Sequence, residues 1–320
     1  MLRMDGFAYH HASTPEQAVR LFDELESPRY IAGGTDLLPN IKHRIFSPKN
    51  LIGIATALPT GWREDDGQLR VGAGTRLSAL AKMTPIPALA EAAGQIAGPQ
   101  IRNMGTLGGN ILLDTRCLFY NQSHFWRKAL GHCLKAEGDW CHVIGGPKTC
   151  VATQSSDTVP LLLAMDAAIV LLGAAGERII KMRDLYRFNG MNHLKIEPHE
   201  LLTEVLIPSP PENFRATYRK LRTRDSIDFP QLGVAICGVF DGDVPTALDI
   251  VVGAANPQPK PIRKLEPFLN VPLTDDRVQE ISALVYKQTR PLAAVHGAPS
   301  WRRHMSMVFT QRALNDLRAR

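Results

Sequence analysis

Four of the five cysteines of this chain fall between residues 117 and 150, in the pattern C-x15-C-x7-C-x8-C. No other feature restricts the fold and chemistry of this chain so tightly. Cys117, Cys133, Cys141 and Cys150 occupy 34 residues of a 320-residue sequence. Thiolates are soft ligands, and four can enclose a zinc ion or fill one position on each iron of a cubic cluster. They can also form two disulfides. Structural disulfides are rare in reducing cytosol, and a chain of this size does not need them for stability. The cytoplasm is the expected compartment. No run approaches the roughly 20 apolar residues of a membrane span, and Met1-Leu2-Arg3-Met4-Asp5-Gly6 lacks the apolar run and cleavage site of a secretory signal. Zinc ribbons bring their thiolates together in closely spaced pairs, because one turn aims two sulfurs at one ion. The intervals here are wide and irregular, which favours a cluster, with zinc as the alternative.

The surroundings of the cysteines add little. His124, His132 and His142 read as packing or hydrogen-bonding residues, since four thiols already complete a ligand set. Trp126 and Trp140 either shield a metal centre or fill a small local core. Cys237 lies in the apolar stretch Leu232–Cys237 and reads as a buried small hydrophobe.

A length of 320 residues predicts two or three domains, and a composition of 44% hydrophobic and 21% charged residues is that of a globular protein. The net charge of +6 has one local excess, Arg302, Arg303, Arg312, Arg318 and Arg320 against Asp316. Without interleaved aromatics or a recognition motif this reads as a solvated helix face or a subunit contact, not a nucleic-acid surface. There is no hydrolytic constellation and no phosphate-loop lysine.

Thr14-Pro15-Glu16-Gln17 predicts a capped helix start. Strands are expected at Tyr30–Ala32, Leu51–Ile54 and Gln68–Val71, and a helix from Leu77 to Met83. Residues 94–110 read as a glycine-rich polar segment. Ser155–Thr158 caps a helix over Val159–Met165. Gly173–Gly176 turns a hairpin between Ala167–Leu172 and Arg178–Met182, and Leu201–Ile207 is a further strand. Pro208, Pro210 and Pro211 mark a domain boundary, followed by strands at 231–240 and 248–255 and helices at 275–287 and 304–319. The order indicates an α+β fold.

Two glycine segments stand out, Ala32-Gly33-Gly34-Thr35-Asp36 and Gly105-Thr106-Leu107-Gly108-Gly109-Asn110. Glycine pairs let successive backbone N–H groups converge on an anion, and Thr35 and Thr106 each offer a hydroxyl. Each segment by itself reads equally well as a tight turn. Neither is a Rossmann fingerprint, and Gly72-Ala73-Gly74 reads as a turn.

Tyr30–Leu38 and Thr106–Asn110 resemble the two FAD-diphosphate motifs of the flavoprotein (medium) subunit of the xanthine oxidase family, the molybdenum hydroxylases. The resemblance continues through Ser156–Leu161, Leu202–Pro208 and Tyr218–Arg224 and covers essentially the whole chain. It implies an FAD-binding fold of the PCMH/vanillyl-alcohol-oxidase type over residues 1–209, in subdomains of about 1–54 and 55–209. A small C-terminal α+β domain of the CO dehydrogenase flavoprotein type would cover 210–320. Residues 112–154 form an insert that most members of that family lack. Its cysteine spacing is similar to the β subunit of 4-hydroxybenzoyl-CoA reductase, which implies a [4Fe–4S] cluster on Cys117, Cys133, Cys141 and Cys150.

By the same resemblance, Ile31, Ala32, Gly33, Gly34, Thr35, Asp36 and Leu37 would wrap the FAD diphosphate from one side. Thr106, Leu107, Gly108, Gly109 and Asn110 would do so from the other. Ile96 would lie near the flavin or adenine, Asp157 would reach the flavin side, and Lys220 would approach the isoalloxazine. The implied partners are a large molybdenum-cofactor subunit, a small subunit with two [2Fe–2S] clusters, and ferredoxin as electron donor, in a dimer of heterotrimers without nucleic acid or membrane. The implied function is electron transfer in reductive dehydroxylation of 4-hydroxybenzoyl-CoA. The alternatives are the FAD subunit of a dehydrogenase of an aromatic or N-heterocyclic substrate, a self-contained flavin oxidase, and a zinc-stabilised non-catalytic protein.

Overall fold

The computed structural model describes residues 3–318. Met1, Leu2, Ala319 and Arg320, the ends of the N-terminal segment and of the arginine-rich tail, lie outside them. The strands form three sheets that follow one another along the chain. The first is parallel, with β1 (Ala8–His11), β2 (Pro28–Ile31) and β3 (Asn50–Gly53) in the order β1-β3-β2. Parallel strands need crossovers: the helix Pro15–Glu24 carries the chain from β1 to β2, which flank β3, and the helix Leu37–Lys42 lies in the connection from β2 to its neighbour β3. Thr14 caps that helix, its Oγ1 accepting from the Gln17 amide at 3.2 Å. The expected reciprocal bond is displaced by one residue, because Gln17 Oε1 accepts from the Ser13 amide at 2.8 Å.

The second sheet is antiparallel. β4 (Trp62–Asp65), β5 (Gln68–Gly72), β6 (Ala168–Gly173), β7 (Gly176–Lys181) and β8 (Leu201–Pro208) lie in the order β4-β5-β8-β6-β7. β8 is the central strand and is buried from Leu201 to Ile207, whereas the edge strand β7 is largely exposed. The hairpin turns at Gly176, whose φ of +107° suits glycine alone. Between β5 and β6 the chain leaves the sheet to build most of the candidate site.

The third sheet, also antiparallel, contains β9 (Phe214–Leu221), β10 (Leu232–Asp241), β11 (Val244–Gly253) and β12 (Lys260–Pro261) in the order β12-β11-β10-β9. The helices Asp275–Gln288 and Pro299–Arg318 cover it through Ile281, Val285, Leu314 and Leu317. A separate core joins the first two sheets and draws in Ala235, Cys237 and Val251 from the third. The helix Val159–Ala164 closes this junction. A Cβ at Gly253 would stand 2.5 Å from Pro160 Cγ, so only glycine allows that approach. The α+β expectation therefore holds.

The glycine-rich segment 94–110 holds two short helices, Pro99–Met104 and Leu107–Ile111. One local expectation needs correction, since the helix expected over Leu77–Met83 ends at Leu80. The cap expected from Ser155–Thr158 is present: Ser156 Oγ accepts from the Val159 amide at 3.2 Å, while the Thr158 hydroxyl is drawn to Asn110 Oδ1 at 2.7 Å.

Arg302 locks the C-terminal helix to the third sheet. It is completely buried without a carboxylate, and its guanidinium donates to Gln231 O (2.7 Å), Leu292 O (2.8 Å) and Ala254 O (2.6 Å). Burial lowers its pKa to about 10. Arg302→Met fills similar volume but takes the donor from three carbonyls, that of Ala254 fully buried and those of Gln231 and Leu292 partly so. A loss of about 3 kcal/mol or more is expected, read as a lower thermal midpoint by circular dichroism, with Arg302→Lys losing less.

Candidate functional site

A cleft of about 1140 Å³ opens where the first sheet meets the segment between β5 and β6. That exceeds the roughly 300–1,000 Å³ of an ordinary small-molecule pocket and suits an extended, dinucleotide-sized ligand. β2 delivers Ile31 to Asp36 to its wall, and Leu37 opens the helix Leu37–Lys42 there. Gly34 has φ +68°. A Cβ on Gly33 would fall 1.9 Å from the Met104 carbonyl oxygen. Both glycines are thus obligatory, one for its dihedral and one because two backbones touch. Among the described residues, the amides of Gly33, Gly34, Thr35 and Asp36 donate to no protein acceptor. Four successive donors free of partners beside a cleft make a nest for an anion.

The second glycine segment abuts the first, and a Cβ on Gly105 would lie 3.5 Å from Thr35 Oγ1. Its amides, however, are mostly spent inside the protein. Leu107 N–H donates to Thr75 O and Gly108 N–H to Ala73 O, both at 2.9 Å. Gly109 N–H donates to Thr106 Oγ1 at 3.2 Å, and Asn110 N–H to Thr106 O at 3.0 Å. Asn110 Oδ1 accepts from Ser156 Oγ (2.6 Å) and Thr158 Oγ1 (2.7 Å). Thr106, Gly108, Gly109 and Asn110 line the cleft, while Leu107 is turned into the core. The second segment shapes the wall, and the first carries the free donors.

Asp157 also lines the cleft, from a fully buried position. Its Oδ1 accepts from the Tyr218 hydroxyl and its Oδ2 from Lys220 Nζ, each at 2.9 Å. Burial pushes its carboxyl upward, and the charge and hydrogen bond of Lys220 and the hydroxyl of Tyr218 oppose that. Lys220 itself does not line the cleft. Its Nζ is held between Asp157 and Gln95 O at 2.9 Å, immediately before the cleft residue Ile96. It positions two pieces of the wall and acts through Asp157.

The cysteine segment is closed at its base by paired backbone bonds, Arg116 N to Thr153 O at 2.8 Å and Thr153 N to Arg116 O at 2.7 Å. Arg127 fastens it to the turn after the helix Leu37–Lys42, donating to His43 O (3.3 Å) and Arg44 O (2.8 Å). Cys117, Cys133, Cys141 and Cys150 are all buried free thiols and line one small cavity. The two-disulfide alternative does not describe this state. Burial raises the Cys117 thiol to about 11 and raises Cys150, and neighbouring thiols add to both shifts. The Ala152 amide donates to Cys150 Sγ at 3.5 Å. Among the described residues, no group of three or more His, Cys, Asp or Glu is set to hold a single metal ion. The thiols converge on one space without closing around an ion. His142 lines the cavity and its Nε2 pairs with Gly131 O at 2.9 Å. Trp140 is 52% exposed, so it does not fill a local core.

The two cavities share a wall that the sequence did not reveal. Tyr120, Leu134 and Lys135 line both. Lys135 Nζ donates to Asp114 Oδ1 and Thr115 Oγ1, each at 2.6 Å, and lies 4.5 Å from the centre of the Tyr120 ring. Arg116 and the buried His193 also face the cleft. Burial lowers His193 to about 4, so it is neutral, and its Nε2 pairs with Leu113 O at 3.1 Å. Leu134 and Lys135 lie in a single 3-10 turn and the others in irregular backbone, where no periodicity tells which side chain turns inward.

The family described as the FAD binding domain in molybdopterin dehydrogenase matches residues 5–210, and the CO dehydrogenase flavoprotein C-terminal domain matches residues 216–317. The aldehyde oxidoreductase FAD-binding subunit PaoB of Escherichia coli is 33% identical over 259 residues, covering 77% of this chain and 81% of that one. The xanthine dehydrogenase FAD-binding subunit of E. coli O157:H7 is 25% identical over 321 residues, covering 98% and 96%. A solved carbon monoxide dehydrogenase chain from Hydrogenophaga pseudoflava superimposes with a TM-score of 0.80 at 25% identity, covering 99% of both chains. The free amides of the first glycine segment and the size of the cleft suit the diphosphate and length of FAD. This chain therefore belongs to the FAD-binding medium subunits of the xanthine oxidase and CO dehydrogenase family.

Proposed function

We propose that this chain is the FAD subunit of a molybdenum hydroxylase or dehydrogenase that oxidises an aromatic or N-heterocyclic substrate, with a [4Fe–4S] cluster housed in its insert. The observation that carries the reading is the free-amide cradle of Gly33–Asp36 opening on a dinucleotide-sized cleft. FAD supplies the exchange between one- and two-electron chemistry, and the polypeptide supplies position and electrostatics. Residues 33–36 hold the diphosphate, Thr106 and Gly108–Asn110 form the facing wall, and Ile96 and Asp157 close the flavin side. No residue of the cleft is needed as an acid or base toward substrate, which fits a subunit whose substrate binds elsewhere. The partners on this reading are a large molybdenum-cofactor subunit and a small subunit with two [2Fe–2S] clusters, in a dimer of heterotrimers. Among the described residues no helix is long and apolar enough to cross a membrane, and a cytoplasmic setting suits free thiols.

One observation favours a second, narrower reading. Four buried thiols lie one side-chain layer from the cleft, across Tyr120, Leu134 and Lys135. A cluster there offers electrons from a soluble donor such as ferredoxin a route to FAD, as 4-hydroxybenzoyl-CoA reduction needs. That reading rests on the insert alone, whereas the relatives described above are named for oxidations, so the oxidative reading leads. The purified complex separates the two. Reduction of an acceptor by an aromatic or N-heterocyclic substrate supports the first, and benzoyl-CoA formation with reduced ferredoxin supports the second.

Anaerobically purified chain is expected to carry one FAD and about four irons, as a [4Fe–4S] cluster requires. Cys133→Ser should lose most of the iron and keep FAD, by parallel iron and flavin assays. A protein with zinc and no iron contradicts the cluster. Gly33→Ala must displace the Met104–Gly105 backbone, so FAD affinity should fall at least about tenfold with the circular-dichroism spectrum preserved. Unchanged affinity in a flavin-fluorescence titration removes the cradle from the site.

A further inference from the structure

Asp36 places a carboxylate in the cradle of free amides, where an anionic diphosphate would be repelled. Asn40 Nδ2 donates to one oxygen of that carboxylate at 3.0 Å, and the guanidinium of Arg116 pairs with the other. Arg116 comes from the insert, one position before Cys117. Its side chain is only 12% exposed, and its Cζ stands 4.5 Å from the centre of the Phe229 ring, which belongs to the segment between β9 and β10. Nε is shut off from water without a hydrogen-bond partner. Burial lowers the guanidinium to about 10, so it stays charged at neutral pH with its desolvation only partly offset. The other cations of the cleft are committed elsewhere. Lys135 serves Asp114 and Thr115, and Arg29 lies over the Phe46 ring.

We propose that Arg116 is a diphosphate-binding residue of the FAD cleft, supplied by the cysteine insert. It cancels the charge of Asp36 through Nη2 and leaves Nη1, the guanidinium nitrogen that is not shut off from water, for a phosphate oxygen, so that the planar fork serves the carboxylate and the phosphate side by side. The insert then completes the flavin site as well as carrying the thiols. This deepens the FAD reading and rests on it.

The test compares wild type, Arg116→Gln and Arg116→Lys, as whole chains purified anaerobically and freed of flavin, in titrations with FAD, ADP and riboflavin. Arg116→Gln should weaken FAD and ADP by about tenfold or more, the value of hydrogen bonds to a charged group, and leave riboflavin within about twofold. Arg116→Lys, which keeps the charge but not the fork, should be intermediate, and it decides the matter alone if the glutamine variant does not fold. FAD and ADP bound as in wild type overturn the proposal. So does an equal loss of all three ligands, since that reports a merely structural role. Wild-type protein that binds no FAD fails for a different reason and overturns the flavin reading itself.

Discussion

The cleft depends on a buried ion pair. Asp157 and Lys220 have side chains 4% and 0% exposed, and they come from opposite sides of the domain junction. Withdrawing two charges from water costs several kcal/mol per ion, and their attraction recovers this only when the remaining lone pairs and protons are also used. Here they are. Asp157 takes a second bond from Tyr218, and Lys220 takes a second acceptor in Gln95 O. Tyr218 and Lys220 lie two apart on β9 and so point to the same face of the third sheet. One strand of the C-terminal sheet thereby fixes both a cleft carboxylate and the backbone leading to Ile96, and the two matched domains work as one scaffold.

The same economy governs the two glycine segments. One keeps its amides free and the other spends them, because the second is also the first turn of the helix Leu107–Ile111 and the partner of the Ala73–Thr75 backbone. A rigid, internally satisfied wall facing a cradle of free donors is preorganised for an anion. Binding then needs little reordering of the protein, and ordering is among the main costs of association. The contact of Gly33 with Met104 O holds the two in register.

Much of this was readable in the sequence. Strand and helix positions followed from apolar periodicity and turn residues, with misses where helices were too short to show a period, as at Pro99–Met104. Gly33 and Gly34 stood out as a glycine pair directly after a strand, although the pair by itself reads equally well as a tight turn. Asp157 and Lys220, in contrast, entered through a resemblance. Their pairing spans 63 positions, and no local pattern encodes a contact at that distance. Lys220 was expected beside the ligand, yet the fold buries it behind its partner, because an unpaired Asp157 there would be an uncompensated buried charge.

The amino-acid sequence by itself determined the succession of elements, the two glycine segments, the clustering of the four thiols and the run of prolines at the end of β8. Each of these is local, written in spacing, propensity or backbone freedom within a few residues. Only the tertiary structure decided that the cysteine segment forms a wall of the cleft, that Tyr120, Leu134 and Lys135 separate the cleft from the thiols, and that Arg116 meets Asp36. Those facts depend on which side chains face each other after loops of irregular backbone close. Burial and charge pairing across the whole molecule settle that, and no pattern along the chain does.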